Sequence, residues 1–550
     1  MIVADELVTL QADDTRTCQM RNAAESPAMR RAGDAVAIPL ARSTRIGRRV
    51  QRTRPTPRGA DRGALRRAIV HLTAEYQGYA RTGGLAEAVA GLAASQVRAG
   101  ERVYVFVPLY AVVREVAPKL EPLTPSHAIT LGGRSEQVRF FRDAARTEGP
   151  QLIFVEVPGS FDRPGLYGDG SGDYPDNHVR FALFARAALH GIATLVPGPV
   201  LLHAHDWHAA LAPVYMRTHP EDAPRFGDTP TVLSVHNAGY QGHFGAEAMA
   251  DLALSPDLWH MDRMEWYGKL NLLKGGLAYC DAAVTVSPAH AEELRTDEGG
   301  FGLHHVFRTL GTRLVGICNG IELRHWDPTT DPHIAAAYSR DDLKGKAVCK
   351  DALQRAFGLP RRPRAPVIGM SSRLAGQKGF DIVLRSARLR DTDAQLIVIG
   401  EGEAHIRDAV ARFAAECPER VACCFTFTDR LEHQLMAGAD LVLMPSQYEP
   451  CGLTQMHAQR YGVPVIGRRV GGIGDTVADG KTGFLFDAFD PTALDGAIDR
   501  ALALYADRAA WQAMMRRAMA CDFGWDQAMV DYAEVYRTAE RGAAAHLTAL

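Results

Sequence analysis

AIVHLTAEYQGYARTGGLAEAVAGLAASQVRAGERVYVFVP, residues 68–108, contains an apolar run (68–72), a glycine pair (Gly83-Gly84), an alanine-rich helical stretch (86–98) and a second apolar run (103–108). Strand, glycine turn, helix and strand in that order form the building unit of a doubly wound sheet. Further strands are legible at 152–157, 200–205, 231–236, 282–287 and 314–318, with helical segments at 177–195 and 209–217 between them. The pattern restarts at 366–371, after a segment rich in proline and arginine (359–366), and continues at 395–400, 421–425, 440–445 and 463–467. The fold class is therefore α/β, with two Rossmann-like doubly wound domains, expected at 68–316 and 317–528. A last helix, within 529–550, carries Met529, Tyr532, Val535 and Tyr536 at roughly helical spacing and is expected to pack on a domain surface.

The 550 residues, 47% apolar and 23% charged, have the composition of a soluble globular protein too long for one core. No apolar run reaches the roughly 18 residues of a membrane span, and the N-terminus lacks a signal-peptide pattern. Net charge is −2, but residues 1–67 carry 14 arginines against 7 acids, which leaves the remainder at about −9. An acidic body argues against nucleic acid as the main partner. Residues 1–67 read as a basic, disordered extension; scarce serine and the acids Asp5, Glu6, Asp13 and Asp14 do not fit a transit peptide. Nine cysteines without metal-like spacing read as reduced thiols of a cytoplasmic protein.

Polar residues gather where strands end. Glu449-Pro450-Cys451-Gly452-Leu453-Thr454 follows the apolar strand at 440–445 and leads into a helix, and ligands of open α/β sheets sit beyond the carboxyl ends of strands. Arg81-Thr82-Gly83-Gly84-Leu85 sets a cation and a glycine turn at a helix start; it suits a diphosphate, or is simply a tight turn. The dinucleotide fingerprint G-x-G-x-x-G is missing there, against a nicotinamide enzyme. In His203-Ala204-His205-Asp206-Trp207-His208, strand alternation sends His203 and His205 to one face while Asp206 starts a turn, which disfavours a metal cluster. Asp206 and Trp207 suit a polar, ring-shaped ligand such as a sugar, with structural histidines as the competing reading. His236-Asn237 ends the next strand. Lys274 reads as a surface charge on a helix. Arg373 and Lys378, five residues apart after the strand at 366–371, can neutralise a leaving diphosphate, work that a metal ion does elsewhere.

Together these motifs resemble the bacterial glycogen synthases and plant starch synthases, retaining glucosyltransferases of the GT-B fold, over roughly residues 68–536. The matches are Arg81–Leu85, His203–His208, 235–242, Ser287-Pro288, Asn319-Gly320-Ile321, 372–379 and 445–454. The resemblance implies two domains facing across a cleft, ADP-glucose as donor, an α-1,4-glucan such as glycogen as acceptor, and neither metal nor other cofactor. It implies that Arg373 and Lys378 bind the diphosphate and stabilise its departure, and that Glu449 holds sugar hydroxyls. Backbone N–H groups of Cys451, Gly452, Leu453 and Thr454 would hold glucose and phosphate. His236 would lie against the anomeric carbon, and Asp206 and Trp207 would contact sugar or acceptor. Arg81, Gly83, Gly84, Tyr167, Asn237 and Asn319 match further substrate contacts, and Phe427 a ring that packs on the base. Two departures stand out: the family lysine of K-T-G-G-L is Arg81, and His457 occupies the second position of an acidic pair that begins at Glu449 in related transferases. The alternatives are a retaining transferase acting on another acceptor and a catalytically inactive glucan-binding protein. Oligomeric state is left open by the sequence.

Overall fold

The computed structural model describes residues 67–169 and 172–548. The reading of residues 1–67 as an extension lies, apart from Arg67, outside them. The first lobe is built on a ten-stranded sheet. From one edge it runs Leu314–Gly316, Ala282–Thr285, Thr231–Val235, Val200–His205, Ala68–Leu72, Val103–Pro108, Gln151–Glu156, Arg134–Asp143 and Leu120–Pro122, with His127–Leu131 paired to Arg134–Asp143. Strands from Leu314–Gly316 through Gln151–Glu156 are parallel, and the rest pair antiparallel. The second lobe has six parallel strands in the order Val421–Cys424, Gln395–Ile399, Val367–Ser371, Leu441–Met444, Val465–Arg468 and Gly483–Phe486.

Burial on both faces explains why these strands read as continuous apolar runs. In the second sheet Val367, Ile397, Ile399, Val442 and Val465 join one core, while their neighbours Ile368, Leu396, Val398, Leu441 and Ile466 join the other. Each sheet begins at its middle strand and is then extended to both sides. The first lobe therefore reverses direction between Ala68–Leu72 and Val200–His205, and the second between Val367–Ser371 and Leu441–Met444. Those switch points open a crevice at the carboxyl ends of the strands.

The helix Asp526–Thr548 follows the second lobe in sequence but packs on the first sheet. Ala528, Tyr532, Val535 and Ala539, one helical stripe, are buried against Leu201, Val232, Ala282 and Val284. Trp525 sits at the crossing, and a Cβ at Gly91 or Gly320 would come within 2.4 or 2.7 Å of its ring. Among the described residues no helix is long and apolar enough to cross a membrane.

Two local features differ from the sequence reading. The helix expected at 209–217 is two pieces, Asp206–Ala209 and Leu211–Thr218. Pro213 has no N–H to give the carbonyl four residues back, so the ladder breaks beside Ala210. The strands His127–Leu131 and Arg134–Asp143 are additions to the expected set. Gly132-Gly133, both at positive φ (55° and 77°), form the two-residue turn that joins them.

Candidate active site

The two switch points face each other across an open cleft of about 1540 Å³, and every site residue singled out from the sequence lines it. From the first lobe come Arg81, Gly83, Gly84, Tyr167, Asp206, Trp207, His236 and Asn237, and from the segment after its last strand comes Asn319. From the second come Arg373, Lys378, Phe427, Glu449 and the turn Cys451, Gly452, Leu453 and Thr454.

In the second lobe, Lys378 Nζ donates to Glu449 Oε2 at 2.6 Å, and Ser446 Oγ donates to the same oxygen at 2.9 Å. Glu449 is nearly buried, so the cation beside it stabilises the carboxylate and fixes its direction. Oε2 is thus used twice, and Oε1 is the oxygen left for a ligand hydroxyl. Gln377 binds the two post-strand loops together: its Nε2 donates to Tyr448 O at 2.9 Å and its carbonyl accepts from Gln447 N at 2.8 Å. Gly379 follows at φ 76°, where a Cβ would lie 2.1 Å from Pro445 O; only glycine allows that approach. Arg373 is exposed to the cleft. Cys451 is buried, which pushes its thiol well above the usual range and keeps it uncharged.

In the first lobe, Asp206 has φ 56°, uncommon for a residue with a side chain, and its carboxylate accepts from His236 N at 2.7 Å. Burial pushes the Asp206 carboxyl up to about 7, against the lowering effect of the His236 and Asn237 N–H groups. Trp207 packs edge-on against Phe181 and over Gly242. Asn237 Oδ1 accepts from Gly239 N at 2.9 Å and shapes the loop after the strand.

The glycine turn after the first strand differs from a bare anion cradle. Its N–H groups at Thr82 and Gly83 donate to Glu75 Oε2 at 2.8 and 3.2 Å, and Thr82 Oγ1 donates to Glu75 Oε1 at 2.5 Å. The anion at this helix start is the protein's own carboxylate, which also accepts from Tyr167 OH at 2.7 Å. Arg81 reaches instead to the second lobe, 3.1 Å from Asp429 Oδ1 and with its guanidinium carbon 5.5 Å from the Phe427 ring centre. Gly84 lies opposite Leu453, 3.8 Å from where its Cβ would be. Lys274, read as a surface charge, is buried and donates to the carbonyls of Met261 and Glu265, closing the end of its short helix onto a loop.

Three features of the site are not legible in the sequence. Glu75, a lone acid three residues past a strand, gives no pattern. Glu87 meets His457 across the cleft at 3.1 Å, a pairing between residues 370 positions apart. His71 joins His203 and His205, and ring nitrogens of the three lie within 4.8 Å of one another; only strand pairing, which sets His71 opposite His203, reveals it.

Two facing Rossmann-like lobes, with cations at one switch point and buried polar groups at the other, define a glycosyltransferase. Residues 68–309 match the starch synthase catalytic domain and residues 354–517 match glycosyl transferases group 1. The chain is 41% identical to a glycogen synthase of Anaeromyxobacter sp. (strain Fw109-5) over 478 residues, covering 86% of this chain and 99% of that one. It is 40% identical to glycogen synthase 2 of Geobacter sulfurreducens, covering 86% and 98%. The catalytic domain of starch synthase IV from Arabidopsis thaliana, solved bound to ADP and acarbose, superposes with a TM-score of 0.81 at 30% identity, covering 86% of this chain and 99% of that one. The chain belongs to the glycogen synthase family.

Proposed function

We propose that this protein transfers glucose from ADP-glucose to the non-reducing end of an α-1,4-glucan with retention of configuration. The observation that carries this reading is the meeting, in one cleft, of exposed Arg373 and Glu449-held Lys378 with His236 and Asp206 of the other lobe. Arg373 and Lys378 supply two positive charges where the leaving diphosphate gains negative charge, so the departure needs no metal. Glu449 Oε1 accepts a hydroxyl of the transferred sugar while Oε2 keeps Lys378 aimed at the phosphates. The N–H groups from Cys451 to Thr454 hold sugar and phosphate, and Phe427 lies beside the base. His236 faces the anomeric carbon, where its backbone carbonyl eases the developing positive charge. The acceptor enters from the first lobe, past Asp206, Trp207, Asn237 and Tyr167, with Asn319 at the sugar and Arg81, Gly83 and Gly84 at the rim. With both Glu449 oxygens engaged, front-face attack through a short-lived ion pair accounts for retention without a carboxylate nucleophile. Closure of the two lobes excludes water and favours transfer over hydrolysis.

The test is incubation with labelled ADP-glucose or UDP-glucose, with and without glycogen, in the presence of a chelator. Label entering polymer, fastest from ADP-glucose and unaffected by the chelator, is the expected result. Transfer to a small sugar only, or glucan binding without ADP release, overturns the reading.

A further inference from the structure

The first lobe contains a chain of hydrogen bonds that runs from its C-terminal helix to the cleft. Tyr536, on the helix Asp526–Thr548, accepts from Gln96 Nε2 at 2.6 Å. Gln96 lies on the helix Gly84–Arg98, and its Oε1 is 2.7 Å from His71 Nε2. His71 Nδ1 is 2.9 Å from His205 Nε2, and His205 Nδ1 is 2.9 Å from His236 Nε2. His71, Gln96 and His205 are all buried, and none of the three carries a role in the reaction described above.

We propose that Gln96, through His71 and His205, fixes the tautomer of His236: hydrogen on Nε2, lone pair on Nδ1. A carboxamide oxygen only accepts, so His71 must donate from Nε2. A neutral imidazole has one hydrogen, so His71 Nδ1 then accepts, and His205 must donate from Nε2. His205 Nδ1 accepts in turn, and His236 must donate from Nε2. One orientation at Gln96, with its amide nitrogen on the Tyr536 oxygen, therefore dictates three rings. The branch beyond Tyr536 has the same sense: Tyr536 OH is 3.1 Å from His203 Nδ1, and His203 Nε2 is 2.7 Å from Ser234 Oγ, so the phenol donates and His203 donates onward to the serine. Such a chain of single hydrogens requires neutral rings. Burial pushes His71 and His236 down to about 4, and His203 and His205 well below the usual imidazole range.

A cation held by His71, His203 and His205 is the competing use of these nitrogens. It is disfavoured because the atoms it needs are spent on one another: the His71 and His205 nitrogens that face each other share a hydrogen bond, and both nitrogens of His203 are engaged by Tyr536 and Ser234. Gln96, His71 and His205 are thus positioning residues, and the helix that follows the second lobe takes part in presenting a group of the first lobe to the substrate.

The proposal rests on His236 facing the transferred sugar, so its test includes a readout independent of turnover. ¹⁵N-histidine-labelled full-length protein is examined by NMR, with the His236 signals identified by their loss in His236→Gln. The expected spectrum has His236 protonated at Nε2 and bare at Nδ1, and Gln96→Leu converts it to exchanging tautomers. In glucan elongation, Gln96→Leu is expected to lower kcat about tenfold, the value of roughly one hydrogen bond, with KM for ADP-glucose little changed. In His205→Asn the carboxamide oxygen accepts from His236 without reference to Gln96, so adding Gln96→Leu costs nothing further. A Gln96 that merely supports the fold costs the same in both backgrounds. His236 protonated at Nδ1, a tautomer unaffected by Gln96→Leu, equal costs in the two backgrounds, or one equivalent of metal in the purified protein would each overturn the proposal. Failure of transfer with the expected spectrum would instead count against the role given to His236.

Discussion

Replacing Glu87 by Gln probes a buried charge pair between the lobes. Glu87 Oε1 lies 3.1 Å from His457 Nε2, and Glu432 Oε1 lies 3.7 Å from His457 Nδ1. The imidazole stacks on Trp326 with centroids 3.7 Å apart and is 2% exposed. Burial opposes the imidazolium, yet the two carboxylates outweigh it and hold His457 up at about 9. Glu87, for which burial also opposes the charge, is held down at about 2, chiefly by His457. These are two views of one interaction and count once. A rise from 6.5 to about 9 corresponds to roughly 3 kcal/mol favouring the charged ring, near the cost of breaking a buried pair by removing one partner. Glutamine keeps the shape and removes one of the two charges, with Glu432 left in place, so Glu87→Gln is expected to destabilise the fold by up to about 3 kcal/mol near neutral pH. The folded value for His457 lies above the unfolded one, so its contribution is complete below about 6.5 and is lost as pH rises through about 9. Urea unfolding of both proteins from about pH 6 to about pH 10 is expected to show a gap that closes toward the alkaline end. A gap under about 1 kcal/mol at neutral pH, or one that does not change with pH, refutes the reasoning.

Lys378→Ala and Arg373→Ala are each expected to lower turnover about 10²- to 10³-fold with an unchanged circular dichroism spectrum, as for loss of a charge-stabilising group; near-normal rates remove the assigned role. Asp206, raised to about 7 by burial, is expected to give the pH profile of kcat/KM a step near 7 that Asp206→Asn abolishes; a step that survives belongs to another group. Because its folded value lies above the unfolded one, stability gained from its neutral form falls as pH rises between about 4 and about 7, and the same variant removes that slope in urea unfolding.

The parallel strands were legible because burial on both faces makes each an uninterrupted apolar run, and the cleft was legible because polar residues interrupt the chain just after those runs. Glu449, Arg373, His236 and Asp206 all follow strands and all line the cleft. What could not be read depends on pairing between distant segments. Glu75 takes the N–H groups of a turn that resembles an anion site, and its sequence neighbours give no hint of it. Lys274 looks solvated on its helix because the loop carbonyls that receive it come from residues 261 and 265, whose fold the sequence does not reveal. The antiparallel strands at 127–143 did carry a signal, the Gly132-Gly133 pair, set in an alternating pattern weaker than that of the buried strands.

His457 also explains why the acidic pair beginning at Glu449 has lost its second member. A carboxylate at 457 would lie among Glu87 and Glu432, three acids in a buried space against Trp326. Like charges so placed cannot all ionise, so protons would have to be taken up to keep the three acids together. An imidazolium reverses the balance, turning two repelling acids into partners of one cation. Glu87 comes from the helix that follows the glycine turn of the first lobe, and Glu432 from the helix Asp429–Gly438 of the second. The cation therefore sits where the lobes meet, beside polar ties that include Arg81 with Asp429, Ser287 Oγ with Pro450 O at 2.7 Å, Ala289 N with Asp475 Oδ2 at 2.8 Å and Glu293 with Gly471 N at 2.7 Å. A second acid after Glu449 would repel at this junction, and the charges at the diphosphate come from Arg373 and Lys378; position 457 is thus free to serve the joint between the lobes.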